Sequence, residues 1–184
     1  MVKLDRIATR GGDGGETSLA NGARVRKDHA RIQVFGALDE ANSAIGLLRA
    51  ACADHAAISD VLGRVQNHLF DLGADLATPG ERRSGPQIDE RYAAYLDENL
   101  VIYNHRLQPL MSFVLPGGTE AACRAHLART SVRRAERELV ALSALEPISP
   151  LLIPYLNRLS DLLFVLARVL NHDGRDDVLW VPAA

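Results

Sequence analysis

Residues 9–18 read TRGGDGGETS, a stretch without a single aliphatic or aromatic side chain. Glycines at 11, 12, 14 and 15 let the backbone enter the φ > 0 region and turn successive N–H groups to one side. Thr9, Thr17 and Ser18 add hydroxyls, and Arg10 and Lys27 add positive charge. That combination suits a phosphate. It is not a Walker loop, because no Gly-Lys-Ser/Thr follows. It is not a dinucleotide fingerprint either, because the glycine spacing fails at Thr17 and no strand precedes it.

A second set of candidates lies in HLARTSVRRAERELVAL, residues 126–142. At 100° per residue, Ala121, Ala125, Ala128, Val132, Ala135 and Leu139 share an apolar face. His126, Arg129, Arg133, Glu136 and Arg137 fall on a neighbouring face, and Arg134 points farther round. Like charges stacked at i, i+4 cost roughly 0.2–0.5 kcal/mol per pair. Solvation and nearby carboxylates offset that cost on most arginine-rich helices. A polyanionic ligand is the sharper explanation, since guanidinium forks match phosphate oxygens. Farther on, Asn157, Asp161 and Arg168 form a narrow polar stripe, with Phe164 among them, on a segment otherwise rich in Leu, Ile, Val and Phe. Buried polar groups need partners. A buried Asp161–Arg168 pair would satisfy two of them and leave the Asn157 amide for a ligand. In GALDE, residues 36–40, Asp39 is either a solvated edge or the partner of an arginine, on the same or another subunit.

These groups must be held by helices. Leu38, Ala41, Ile45, Leu48 and Cys52 recur by three and four, which predicts a helix over 30–54. Ile58, Leu62, Val65, Leu69, Leu72 and Leu76 keep heptad spacing over 57–77. TPGERRSGPQ is a loop by its Pro and Gly content. A third helix over 88–108 carries Ile88, Tyr92, Leu96, Ile102 and Leu107. LMSFVLPGG precedes Thr119, the expected N-cap of a fourth helix over 119–145. A fifth helix over 151–172 stops before Gly174. The expected fold is all-α, an antiparallel five-helix bundle over 30–172 in one domain, with a glycine-rich arm at 1–29 and a tail at 173–184.

The bulk properties exclude several functions. The chain has 184 residues, 47% hydrophobic and 24% charged, with a net charge of −2. It is long enough for one full core and carries no global field for nucleic acid or an anionic membrane. LSDLLFVLARVL, the most apolar segment, is too short and too polar to span a bilayer. The N-terminal residues lack the apolar run of a signal peptide. Cys52 and Cys123 sit in apolar patterns, as buried free thiols of a cytoplasmic protein would. Only Lys3 and Lys27 are lysines. Coding bias explains the arginine preference, and Lys27 stands out against it.

TRGGDGGETSL, VRKDHARIQVFGALDEANSAIG, FVLPGG, ARTSVRRAER and YLNRLSDLLFVLAR occur in that order. Together they resemble the ATP:cob(I)alamin adenosyltransferases of the trimeric, five-helix-bundle type, over residues 4 to 172. The resemblance implies that the arm wraps the ATP triphosphate. Thr9, Arg10, Gly11, Gly12, Thr17, Ser18 and Lys27 match the family's nucleotide positions, as do Arg133, Arg134, Glu136, Arg137 and Asn157. Asp39 and Arg129 match a pair that joins neighbouring subunits beside the site. Phe113 matches the aromatic residue beneath the corrin. The family usually has a hydroxyl residue at the position of Gly11 and an acidic or polar one at Gly14. Backbone N–H groups would have to stand in for the missing donor.

The implied chemistry needs no protein nucleophile or base. Cob(I)alamin attacks the ribose 5′-carbon, and triphosphate leaves with Mg²⁺ bridging its oxygens. The resemblance implies catalytic roles for Arg133, Asn157 and Phe113 in a homotrimer with sites between subunits. A cobalamin reductase and an adenosylcobalamin-dependent mutase are the expected partners. A non-catalytic carrier that binds ATP or adenosylcobalamin and delivers the cofactor is the alternative. A di-iron carboxylate bundle is disfavoured, because no Glu-x-x-His motif is present. A purely structural adaptor would leave the arm unexplained.

Overall fold

The computed structural model describes residues 8–78 and 86–183; Lys3 and most of the TPGERRSGPQ loop lie outside them. The described residues contain five helices and one short hairpin. The helices are α1 (Ala30–Ala51), α2 (Ala56–Ala77), α3 (Glu90–Asn104), α4 (Glu120–Ser143) and α5 (Leu152–Leu170). Packing runs α2, α1, α4, α5, α3 around the bundle.

The periodicity translates directly into burial. All six heptad residues of α2 are buried, as are the alanine-rich positions of α4, and α1 buries Leu38, Ala41, Ile45 and Leu48, with Cys52 buried at its C-cap. Alanines let α4 approach α1 and α5 closely, and α5 fills the centre with Leu152, Tyr155, Leu156, Leu159, Leu162, Leu163 and Leu166. Capping marks several of the helix starts. Thr119 Oγ1 accepts from Ala122 N–H at 3.1 Å, His29 Nδ1 from Arg31 N–H at 3.2 Å and Asp89 Oδ1 from Arg91 N–H at 2.9 Å.

Four expectations change. Ile102 is exposed, because the buried stripe of α3 runs through Leu96, Asn99 and Tyr103. Cys123 is exposed, while Cys52 is buried. The arm contains strands β1 (Glu16–Ser18) and β2 (Arg24–Arg26), paired antiparallel with Thr17 opposite Val25. Asp161 and Arg168 do not pair. Seven residues of helix separate their Cα atoms by about 10.5 Å along the axis, beyond an easy reach. Arg168 instead donates to Asp177 Oδ2 at 2.7 Å and to the Gln108 carbonyl at 3.0 Å, and Asp161 lies 3.5 Å from Arg158.

The chain beyond α5 is thereby folded back. His172, Asp173 and Gly174 all take positive φ, and Gly174 N–H closes on Arg168 O at 2.8 Å. Buried Asn171 accepts from Thr119 N–H at 2.9 Å and donates to Gly117 O at 3.0 Å, so the Pro-Gly-Gly turn is tied to the end of α5. Gly118 has φ 97°, and a Cβ there would lie 2.2 Å from Asn171 Oδ1, so this position requires glycine.

Candidate functional site

The arm is built from local hydrogen bonds rather than core contacts. Asp13 N–H donates to Arg10 O at 3.3 Å, Gly15 N–H to Gly12 O at 3.1 Å and Lys27 N–H to Gly15 O at 2.8 Å. The hairpin attaches to the bundle through buried Leu19 and through Ala20 N–H, which donates to Ala77 O at 3.1 Å at the end of α2. Of the four glycines in the turn, only Gly15 has positive φ; Arg10 adopts φ 59° instead. The N–H groups of Gly11, Gly12 and Gly14 donate to no acceptor among the described residues. A methyl built on Gly12 would lie 3.0 Å from Lys27 Nζ, which places that ammonium against the turn. Thr9, Arg10, Gly11, Ser18 and Lys27 are exposed, with Gly12 and Thr17 half-buried. The turn thus presents unused donors and positive charge to solvent, an anion-accepting arrangement.

The arginine face is built differently. Arg129 and Arg133 line a cavity of about 300 Å³ between α3, α4 and α5, together with Arg158, Asp161 and Phe164. Arg129 is half-buried, and its Nε has no partner among the described residues. Burial and the adjacent Arg133 lower its pKa. Glu136 accepts from Asn157 Nδ2 at 3.2 Å, which orients the amide across the α4–α5 seam. Arg134 forms an ion pair with Glu40 of α1, as its position farther round the helix requires. Arg133 and Arg137 remain exposed. His126, expected on this polar face, is 2% exposed and stacks edge-on to Phe164 at 6.1 Å. Burial, then the Arg129 charge, lower its pKa.

No residue of the arm lines the Arg129 cavity. Asp39 is not among the residues that line the Arg129 cavity. It borders a mainly apolar groove of about 600 Å³ between α1 and α2, lined also by Phe35 and Phe70, the latter 73% exposed.

The third region is apolar. Phe113 is 77% exposed and Met111 96%. Leu110, Met111, Phe113, Trp180 and Pro182 line a cavity of about 520 Å³. Trp180 is the residue that sequence reasoning missed. Its ring meets Phe113 at 6.0 Å and 67°, its backbone N–H donates to Phe113 O at 2.8 Å, and its carbonyl accepts from Ser112 Oγ at 2.9 Å. The bridge Val114–Leu179 continues that pairing. The apolar VLWV run in the tail was the available signal. A tail given no element of its own hides it.

Comparison with known proteins decides among the functions that such a bundle could serve. A family model described as cobalamin adenosyltransferase matches residues 7–170. The chain belongs to the cobalamin adenosyltransferase family. It is 48% identical over 180 residues to a cobalamin adenosyltransferase of Cupriavidus metallidurans, covering 97% of this chain and 95% of that one. It is 47% identical over 186 residues to a corrinoid adenosyltransferase of Mycobacterium tuberculosis, covering 98% and 95%. Its fold matches that of a variant PduO-type ATP:corrinoid adenosyltransferase of Lactobacillus reuteri, solved with cobalamin and ATP, with a TM-score of 0.90 and 34% identity over 95% of this chain and 96% of that one. The five-helix architecture expected from periodicity is therefore the family's own. Members need two reactant sites, and the chain offers a polar, cationic region and an apolar one.

Proposed function

We propose that this family member transfers the 5′-deoxyadenosyl group of ATP to cob(I)alamin, giving adenosylcobalamin and triphosphate. The observation that carries the proposal is the division of labour on the surface: unused N–H donors and unpaired cations in two polar regions, and an exposed aromatic lip in a third. In this reaction the cobalt electron pair forms the Co–C5′ bond. The C5′–O bond breaks, and its electrons leave with the triphosphate. The substrate is itself the nucleophile. The protein must orient two molecules and stabilise charge on the departing phosphates.

Thr9, Arg10, Gly11, Gly12, Thr17, Ser18 and Lys27 would hold the triphosphate, with Arg133, Arg137 and Asn157 completing the nucleotide site and Glu136 orienting Asn157. Arg134, engaged by Glu40, would act mainly through that pair. Mg²⁺ would be held chiefly by the phosphates, as is usual for this ion, with the exposed Asp13 carboxylate available on the turn. Phe113 and Trp180 would form an apolar floor beneath the corrin, excluding its lower axial ligand.

The arm and the arginine face would come together by assembly. In a homotrimer, Asp39 of one subunit would meet Arg129 of the next, filling the α1–α2 groove and supplying a partner for the unpaired guanidinium nitrogen. A heterologous interface repeated three times closes such a ring. No described helix is long and apolar enough to cross a membrane. A reductase that supplies cob(I)alamin and a mutase that uses the product are the implied partners. The test is to mix reduced cobalamin, ATP and protein and to follow cob(I)alamin absorbance together with triphosphate. Stoichiometric loss of the first and gain of the second is expected. ATP binding without turnover would indicate a carrier instead.

A further inference from the structure

We infer that Arg24 is a positioning residue that sets the glycine turn to receive phosphate; this rests on the arm being the triphosphate cradle. Arg24 is on β2, and its guanidinium reaches back across the hairpin. Nη2 donates to the Gly11 carbonyl at 2.8 Å, and Nη1 donates to Ser18 Oγ at 3.3 Å. Glu16 lies 3.6 Å away and balances its charge. One planar fork therefore ties together both strands and the turn. A lysine, a point charge on a flexible stem, could not hold that arrangement.

The Gly11 contact matters most. In a planar trans peptide the carbonyl and the following N–H point in opposite directions. Drawing the Gly11 oxygen toward Arg24 therefore turns the Gly12 N–H away from it, and that N–H donates to nothing among the described residues. Without Arg24 the Gly11–Gly12 peptide could flip and present its carbonyl to an anion. No side chain at Gly11 or Gly12 resists such a flip. Arg24 supplies the constraint that a larger residue at Gly11 would otherwise provide. Because its donors are directed at Gly11 and Ser18 and its charge is balanced by Glu16, its effect on phosphate is through the backbone.

The experiment compares wild type, Arg24→Ala and Arg24→Lys in ATP titration and in steady-state adenosyl transfer, with amide exchange at residues 9–18. Arg24→Ala should weaken ATP binding and raise KM for ATP about tenfold. Its kcat at saturating ATP should stay within about twofold of wild type, because the phosphate ligands themselves are intact. Melting temperature should not move, since Arg24 is exposed. Arg24→Lys should recover little. Unchanged ATP affinity in Arg24→Ala would overturn the inference, as would full recovery in Arg24→Lys. A fall in kcat as large as the rise in KM would place Arg24 on the phosphates and also overturn it. The wild type separates the two levels of interpretation. If ATP binds wild type without protecting residues 9–18, the cradle is elsewhere, and both the cradle assignment and the role of Arg24 fall.

Discussion

The glycine arm and the arginine face carry similar chemistry on opposite kinds of scaffold. Arg129, Arg133 and Arg137 project from a helix whose other side is locked into the core by Ala125, Ala128, Val132, Ala135 and Leu139. Their positions are fixed before any ligand arrives. The arm touches the core through little more than Leu19, and its shape comes from a hairpin of two three-residue strands and a few turn bonds. The difference teaches that preorganisation here has two sources. The helix supplies rigid charge and leaves it underpaired. The arm supplies backbone donors whose direction depends on single hydrogen bonds. Substitutions on the helix should therefore affect the transition state, whereas substitutions in the arm should affect ATP affinity.

Arg133→Ala is the strongest way to break that contrast. Its loss leaves no core cavity, so folding should be unchanged. Removal of one donor to the departing charge should raise the barrier by about 2–4 kcal/mol. Stopped-flow turnover with a matched melting curve checks both halves. An effect confined to KM would put the helix in the same class as the arm.

Phe113→Ala sharpens the comparison from outside the polar regions. A buried phenylalanine would cost about 3–5 kcal/mol of stability on truncation. At 77% exposure, Phe113 cannot have that role. The expected result is a folded protein with normal ATP affinity and a rate reduced roughly 10- to 100-fold. Bound cob(II)alamin should keep its lower axial ligand, which visible or paramagnetic spectra detect.

Acid should weaken the bundle before the arm. Burial lowers the pKa of both His126 and His68 from the usual 6.5. His126 faces Arg129 and Phe164, with Asp177 acting in the opposite direction; His68 Nδ1 is hydrogen-bonded to the Tyr155 hydroxyl at 3.1 Å. Below about pH 6.5 the unfolded chain takes up protons that the folded one refuses. Stability should therefore fall as pH drops from about 6.5 toward the lowered folded values, by at most about 1.4 kcal/mol per unit for each histidine. Denaturant melts between pH 7.5 and 5 check this, and His126→Gln should flatten part of the slope.

Gly11→Thr is the smallest test and belongs to the arm. Gly11 does not have positive φ, and a Cβ there would meet only Thr9 Oγ1 at 3.7 Å. An added hydroxyl should fit and strengthen ATP binding by about 0.5–1.5 kcal/mol, with kcat unchanged. Calorimetric titration measures the difference.

Legibility in the sequence followed the same division. The heptads of α2, the alanine face of α4 and the Thr119 cap are periodic or local signals, and each appears in the structure as read. The hairpin was hidden because each strand has three residues, mostly polar, with no apolar alternation to detect. The Asp161–Arg168 expectation failed because a shared helical face says nothing about reach, and because Asp177 returns from the tail. His126 and Trp180 required tertiary structure: one is buried by Phe164, and the other matters only because residues 112–115 pair with the tail. Of the proposed site residues, Arg133, Asn157 and the turn glycines stood out by type and order, and Phe113 through the family resemblance. Their grouping into three separate regions was not legible, since it depends on which sides of the bundle α1, α4 and the tail occupy.

Subunit complementation tests most directly whether the arm of one chain completes the arginine face of another. At ATP well below saturation, Lys27→Ala and Arg133→Ala would each have little activity alone. Unfolding and refolding an equal mixture should give trimers in which about a quarter of the sites combine an intact arm with an intact arginine face, and about a quarter of wild-type adenosyl transfer should return. If both lesions fall within a site made by one chain, every site carries a lesion, and the mixture will stay as inactive as its components.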